Sequence, residues 1–311
     1  MCYSAQAWQD YHKYKREFGA TLGIAEYVRL FGQWQAGAES PKFPKALLDA
    51  FAEASSGDEA RIRHWVEAWK AGQITAVEQD LFALKKRLAD AERTLQTKIT
   101  KKAQNDQRIA TDKIGKASQR LKDLHRTSPL PRDARFFPGN YATVMVAEAG
   151  KRVVYPMRYG CRPAGKPAFY DIRYPGTYNA RRDNLEGFWK GQFGHTHALI
   201  VVETFYENVK GKDGKNQVLQ FTPQDGGPMY VPCLFSHWTD PKGVEPELWS
   251  FAAITDDPEP EVAAAGHDRT IINIKPEHID AWLNPDYANL QELYAIFDDR
   301  QHPYYEHREA A

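Results

Sequence analysis

The chain has 311 residues, of which 41 are basic and 41 acidic, and 42% are hydrophobic. A chain of this length can bury enough surface for one or two ordinary domains. Its balanced charge excludes the strongly basic composition that is typical of nucleic-acid-binding domains, so that any polyanion site must be a local patch.

Cysteine usage and the N-terminal sequence indicate a reduced, cytoplasmic protein. The three cysteines, Cys2, Cys161 and Cys233, have no CxxC spacing, which argues against a disulfide framework or a zinc site. Residues 1–20 lack the apolar segment of a signal peptide, and no stretch of about 18 apolar residues predicts a membrane span. His195 and His197 alternate without a third ligand, so neither a metal nor a cofactor is expected.

Residues 4–124 have a predominantly helical pattern, with apolar residues at steps of three and four. A turn at residues 56–58 predicts the start of one helix, and a separate heptad seam follows it. The seam comprises Leu81, Leu84, Leu88, Ala91 and Leu95. The pattern predicts a coiled-coil-like arm over residues 76–125, as one long helix or as a hairpin that turns near Asn105.

The pattern changes to short strands after residue 128. Strands are predicted at residues 141–147, 153–159, 197–202, 218–222, 229–235, 248–254 and 270–274. Short helices are predicted at residues 185–190 and 276–283, and another begins at residue 289. Many strands with few helices predict an α+β fold whose core is a partly closed antiparallel sheet.

These patterns, together with the family resemblance described below, divide the chain into four parts. Residues 1–7 are assigned to the core, residues 8–128 to a helical insertion, residues 129–285 to the β-rich core, and residues 286–311 to a C-terminal helix and tail.

Cys2 is the first candidate for chemistry. Removal of Met1 would give it a free α-amine, with a reference pKa of about 7.7–8.0, beside a thiol with a reference pKa of about 8.5. Such a 1,2-aminothiol can take an aldehyde as an imine and then close a ring through sulfur.

Three further motifs follow Cys2 in the chain. Asn-Ala-Arg occupies residues 179–181, Phe-Tyr-Glu residues 205–207, and His-Asp-Arg residues 267–269. Together with the N-terminal Met-Cys, this order resembles the SRAP (SOS-response-associated peptidase) family. Residues 134–138, which are similar to the Arg-Tyr-Asn-x-x-Pro motif of the family, and residues 279–283 add to the resemblance.

Two of the chain's departures from the family pattern concern the expected DNA contacts. Tyr3 and Ser4 follow Cys2, where the family usually has Gly-Arg. The Trp-Gly motif of the family appears only as Tyr159-Gly160, so that a base-stacking role would fall to Tyr159.

The resemblance implies capture of abasic sites in single-stranded DNA. Cys2 would form a Schiff base and then a thiazolidine with the ring-opened sugar, Glu207 and His267 would move protons, and Asn179 would hold the N-terminal amine. Arg181 would contact a phosphate, as would three weaker candidates: Arg182, Arg158 and Arg162. Asp268 and Arg269 are expected to form an ion pair that shapes the loop.

Two other readings stay open. The chain could be a cysteine peptidase, with Cys2 as nucleophile and His267 as base, whose one substrate is its own Met1. It could also be a non-enzymatic DNA-binding or partner-binding protein. In an abasic-site crosslinker the 76–125 arm would be a basic clamp on nucleic acid, a protein-partner site or a self-association element, and in a non-enzymatic protein it would recruit a partner. Its basic residues could also form an ordinary solvated helix face.

Overall fold

The computed structural model describes residues 3–37, 41–211 and 213–310 and has the predicted α+β fold. The chain divides into two compact units. The core unit comprises Met1–Glu53 and Leu130–Ala311, and the helical unit comprises Ala54–Pro129. No helix among the described residues is long and apolar enough to cross a membrane.

The strands formed by the described residues belong to one sheet in the core unit. They are β1 (Ser4–Ala7), β2 (Thr21–Leu22), β3 (Arg135–Phe136), β4 (Tyr141–Glu148), β5 (Lys151–Tyr159), β6 (Asn179–Arg181), β7 (His197–Lys210), β8 (Asn216–Pro223), β9 (Met229–Trp238), β10 (Leu248–Asp256), β11 (Thr270–Ile271) and β12 (Tyr305–Glu309). Strands β4, β7, β9, β10 and β5 pair in a closed ring, because β5 pairs with both β10 and β4. The prediction of a partly closed, mainly antiparallel sheet is thereby confirmed.

The described residues also form α-helices. They are α1 (Tyr11–Phe18), α2 (Ile24–Gln35), α3 (Lys45–Asp49), α4 (Gly57–Thr97), α5 (Lys101–His125), α6 (Tyr170–Arg173), α7 (Pro260–Ala264), α8 (Ile279–Leu283) and α9 (Leu290–Asp298). Two of them, α4 and α5, belong to the helical unit. The predicted helices near residues 276–283 and 289–297 correspond to α8 and α9. The helix predicted at residues 185–190 is a series of turns.

Both faces of β4 are buried, and this alters the predicted division of the chain. Its alternate residues Ala142, Val144 and Val146 lie in the main hydrophobic core. On the opposite face, the Tyr14 hydroxyl donates to the Thr143 carbonyl at 3.2 Å. Residues 8–53 lie in the core unit, whereas the sequence assigned them to an insertion over 8–128, because helical periodicity does not reveal which surface a helix covers.

Strand β1 is the element that matters most for the site, and the helical reading from residue 4 was wrong there. Ser4–Ala7 pairs antiparallel with both β3 and β7. The sequence Ser-Ala-Gln-Ala has little strand propensity, so the strand is held by its two neighbours and not by its own residues.

In the helical unit, α4 and α5 form a hairpin. The turn lies at residues 98–100, and Thr100 caps α5 by accepting a hydrogen bond from the Ala103 amide at 3.1 Å. The hairpin alternative is thus the correct one, although its turn precedes Asn105. The helix predicted after residue 58 and the first half of the arm are one helix of 41 residues.

Candidate functional site

The site is built around Glu207 near the end of β7. Strand β1 lies beside this part of β7, with Ser4 opposite Tyr206. The Tyr3 amide donates to the Tyr206 carbonyl at 3.0 Å and lies 3.3 Å from Oε2 of Glu207. Cys2 itself lies outside the described residues, and the structure describes the chain from the residue that follows it.

His267 contacts the same carboxylate. Its Nε2 atom lies 3.3 Å from Oε2 of Glu207, and its Nδ1 atom lies 2.9 Å from the Arg269 carbonyl. The Glu207 side chain is 1% exposed and that of His267 10%. The loop between α7 and β11 thus places His267, from the His-Asp-Arg motif, in contact with Glu207, from the Phe-Tyr-Glu motif.

Burial shifts both groups toward their neutral forms. Desolvation raises the pKa of the Glu207 carboxyl well above its usual range, against the opposing hydrogen bond from the Tyr3 amide. Desolvation also lowers the pKa of His267, and the Arg269 carbonyl opposes this shift. Nδ1 also lies 3.3 Å from the Arg269 amide nitrogen, and in the tautomer whose Nδ1 donates to the Arg269 carbonyl, Nε2 has a lone pair that can accept from a protonated Glu207. Oε2 of Glu207 and Nε2 of His267 are thus two neighbouring atoms that can each carry a proton.

Asn179 lies on the short strand β6. Strand β6 runs parallel to β10, with Asn179 opposite Ala253. The buried Tyr159 hydroxyl donates to Oδ1 of Asn179 at 3.1 Å. The Nδ2 atom of Asn179 is buried and has no hydrogen-bond partner among the described residues. A buried donor without a hydrogen-bond partner lowers the stability of the folded protein, so this amide is a candidate for binding a further polar group.

The role of Tyr159 in this structure differs from base stacking. Its side chain is 1% exposed and packs against Phe136 and Phe251. Because other side chains enclose this ring, it has no free face on which a nucleic-acid base could stack. Tyr159 instead orients the amide of Asn179.

A cleft of about 450 Å³ adjoins the His267 loop. Its lining includes Arg181, Arg182 and Arg269, together with four acidic residues: Asp183, Glu186, Asp256 and Asp257. The lining is therefore mixed in charge and not uniformly basic. Arg269 also forms the expected ion pair with Asp268, at 3.7 Å, and its place beside Arg181 and Arg182 was not foreseen from the sequence.

The two arginines of this cleft that were predicted as DNA contacts differ in their surroundings. Arg181 is half-exposed and pairs with the exposed Asp183 at 2.5 Å. Arg182 is more enclosed and pairs with Asp256 at 3.0 Å and with Asp298. Arg181 is thus the more available of the two for a phosphate, because an exposed ion pair is weak and exchanges readily.

Arg158 and Arg162 lie in a separate cluster around Asp171. Arg158 lies 2.6 Å and Arg162 2.7 Å from its carboxylate. The Arg162 guanidinium also lies over the Trp238 ring, 4.4 Å from its centroid, and Arg162 is buried. This arrangement is that of a structural ion cluster.

The sequence did not indicate an aromatic surface beside Glu207. The Tyr3 ring is 38% exposed and contacts the Phe137 ring edge-on, with centroids 5.6 Å apart. Arg135 lies over the rings of Phe137 and Tyr206, at 4.9 and 3.5 Å, and donates to the Ser4 hydroxyl from Nε and Nη2. The pairing of β1 with β3 brings these residues together, and no local sequence pattern reveals that pairing.

His197 is a buried residue of the core. Its Nδ1 atom lies 2.8 Å from the Trp282 carbonyl, and Nε2 accepts from the Gly194 amide at 2.8 Å. Burial lowers its pKa to about 3. Among the residues that the structure describes, no group of three His, Cys, Asp or Glu side chains is arranged to hold a metal ion.

Several solved structures are similar to this chain. One, of a protein from Bordetella bronchiseptica, has 17% identity and a TM-score of 0.46 and covers 62% of this chain and 95% of its own. A protein from Bacteroides thetaiotaomicron has 14% identity and a TM-score of 0.47, with coverage of 57% and 78%. A phage-related protein from B. bronchiseptica has 20% identity and a TM-score of 0.43, with coverage of 61% and 88%.

No curated protein matches the sequence significantly. A family model, described as SOS response associated peptidase (SRAP), matches residues 95–309, which is more than half of the chain. The match contains Asn179, Glu207 and His267 but begins after Cys2. The chain belongs to the SRAP family.

Proposed function

We propose that this protein captures ring-opened abasic sites in single-stranded DNA covalently, through the α-amine and thiol of Cys2 after loss of Met1. The observation that carries the proposal is the contact of Tyr3, the residue bonded to Cys2, with a buried carboxylate that also contacts His267. Consecutive Cα atoms are about 3.8 Å apart, so the proposal requires no more than one residue's length between Tyr3 and the reacting amine and thiol. Membership of a family named for the SOS response supports a role linked to DNA damage.

The proposed reaction balances without a cofactor. The Cys2 amine adds to the C1′ aldehyde of the open sugar and gives a carbinolamine. The carbinolamine hydroxyl takes a proton and leaves as water, which gives an iminium ion. The Cys2 sulfur then adds to the same carbon, and its proton is released to a base while nitrogen becomes a neutral ring amine. The product is a thiazolidine.

Glu207 and His267 suit the proton transfers of these steps. A Glu207 that burial keeps protonated can donate to the leaving hydroxyl. A His267 that burial keeps neutral can accept the proton of the Cys2 thiol, and the 3.3 Å contact between the two side chains allows that proton to return to Glu207. The pair would then be restored at the end of each capture event.

The remaining residues would bind the DNA or the N-terminus. The unsatisfied Nδ2 of Asn179 would donate to the N-terminal residue or to the substrate. Arg181 would contact a phosphate, with Arg182 and Arg269 behind it in the same cleft. We assign Arg158, Arg162 and Tyr159 to supporting the core, because each is enclosed by its own structural partners.

The deciding experiment is the intact mass of the purified protein before and after incubation with single-stranded DNA that contains one abasic site. We expect loss of Met1 and an adduct equal to the mass of protein plus DNA minus one water. Cys2→Ala should form no adduct. Cys2→Ser should form at most an imine, which borohydride traps and which reverses without it.

Other outcomes would support other functions. Retention of Met1 would contradict the proposal, because the amine would then be on the wrong residue. Complete removal of Met1 that depends on Cys2, without any adduct, would favour a peptidase limited to self-processing. Binding of DNA that is unaffected by Cys2→Ala, again without an adduct, would favour a non-enzymatic DNA-binding protein.

A further inference from the structure

A partly exposed aromatic surface borders the proposed reaction site. We call the rings of Tyr3 and Phe137 with the guanidinium of Arg135 the aromatic shelf. Tyr3 and Phe137 meet edge to face, and Arg135 lies over the Phe137 ring at 4.9 Å. The shelf is joined to the site through Tyr3, whose amide lies 3.3 Å from Oε2 of Glu207.

Packing in the core does not account for the shelf. Tyr3 is 38% exposed and Phe137 is half-buried, whereas the neighbouring Phe136 is 2% exposed. The backbone of Tyr3 is nevertheless fixed, because its amide donates to the Tyr206 carbonyl at 3.0 Å. Arg135 is fixed as well by its hydrogen bonds to the Ser4 hydroxyl, at 3.0 and 2.9 Å. A rigid, partly exposed ring presents apolar surface at a low cost in conformational entropy, which favours ligand binding.

We propose that the aromatic shelf stacks a base of the single-stranded DNA next to the abasic site. The inference rests on the proposed function, since it assigns the shelf to the same substrate. Every base has a π-face, so stacking on Tyr3 would hold the strand regardless of its sequence. The guanidinium of Arg135 adds positive charge beside the strand, where the backbone carries negative charge. An abasic position has no base of its own to bind, so a neighbouring base must supply this contact.

The test compares two DNA strands that each contain one abasic aldehyde. In the first, thymines flank the aldehyde. In the second, the two flanking positions carry tetrahydrofuran residues, which have neither a base nor an aldehyde. With protein at subsaturating concentration, we expect the wild type to capture the first strand about tenfold faster, since stacking contributes about 1–3 kcal/mol per base. Tyr3→Ala should reduce the ratio of the two rates to about one, and Tyr3→Phe should retain it.

Phe82→Ala is the matched control, because Phe82 is an exposed aromatic residue on α4, in the helical unit. Equal capture of both strands by the wild type would overturn the proposal, as would an unchanged ratio in Tyr3→Ala. The affinity of Cys2→Ser protein for the same strands, measured by fluorescence anisotropy, separates the two proposals. If no adduct forms on either strand, the proposed function fails. The shelf proposal is still supported if Cys2→Ser protein binds the first strand tenfold more tightly than the second and Tyr3→Ala abolishes this difference.

Discussion

The Nε2 atom of His267 lies 3.3 Å from Oε2 of Glu207, although the two residues come from motifs far apart in the sequence. Burial favours a protonated Glu207 and a neutral His267. When Glu207 gives up a proton and His267 takes one up, the resulting carboxylate and imidazolium attract each other strongly in a region of low dielectric. The pair is therefore suited to reactions that need a proton to be given and then recovered.

Replacing Glu207 should slow capture more than binding. Glu207→Gln keeps the shape of the side chain but cannot donate a carboxylic proton, and general acid–base catalysis contributes about 10²–10⁴-fold. We expect the rate of adduct formation to fall about 100-fold, with noncovalent affinity changed less than threefold. Quenched time courses on abasic single-stranded DNA measure the rate. Glu203→Gln is the control, since Glu203 lies on the same strand but is exposed and pairs with Lys13. Equal rates in both variants would contradict the role of Glu207.

The stability of the protein should depend on the charge of Glu207. Its raised pKa means that the folded state keeps a proton that the unfolded state releases above about pH 4.3. The proton that Glu207 retains stabilises the folded state fully below about pH 4.3, and this stabilisation is lost as the pH rises toward the pKa of Glu207 in the folded state. Glu207→Gln should therefore be more stable than the wild type at pH 7 and equally stable at pH 4. Chemical denaturation at a series of pH values measures the difference, and a difference that does not vary with pH would refute this account.

His267 should add a pH dependence of the opposite sign. Its pKa is lowered in the folded state, so its contribution to stability is present above about pH 6.5 and decreases as the pH falls toward the folded pKa. His267 is present in both the wild type and Glu207→Gln, so its titration contributes to the stability curves of both proteins.

The sequence predicted the ring of strands well because their residues are regularly apolar. The predicted strand at residues 141–147 corresponds to β4, Tyr141–Glu148, and the segment at 248–254 to β10, Leu248–Asp256. Both strands lie in the core, where burial imposes apolar residues that can be recognised locally. Strand β1 could not be recognised, because its neighbours hold it in place and its own sequence is neutral.

The site was predictable only in part for a similar reason. Motif order identified Glu207 and His267, and the structure brings them into contact. The motifs did not reveal that Arg162 is enclosed between Asp171 and Trp238, since a sequence does not distinguish an arginine that binds a phosphate from one that completes an ion cluster. Nor did they reveal the contact of Tyr3 with Phe137, which depends on the pairing of β1 with β3.

Arg181 and Arg162 should therefore respond differently to the same substitution. Arg181→Gln removes an exposed cation and should reduce the salt dependence of single-stranded DNA binding by about 0.7 in log–log slope. Arg162→Gln leaves a buried network incomplete and should lower the free energy of unfolding by about 3 kcal/mol without changing that slope. Anisotropy titrations between 50 and 300 mM salt, with Cys2→Ala protein, measure the slopes. A reduced slope in Arg162→Gln would place Arg162 on the DNA after all.

Close packing of the helical hairpin should depend on small side chains. Ala110 on α5 is fully buried, and Arg87 on α4 pairs with Asp106 on α5 at 2.5 Å. Ala110→Glu would force a larger, charged side chain into the contact between α4 and α5. Overpacking alone lowers the free energy of unfolding by about 1–3 kcal/mol. We expect loss of helical circular dichroism at a lower temperature, and faster amide hydrogen exchange in α4 and α5 with the strands unchanged. Ala89→Glu, at an exposed position of α4, should have little effect. If both variants melted alike, Ala110 would not be part of a close contact between the helices.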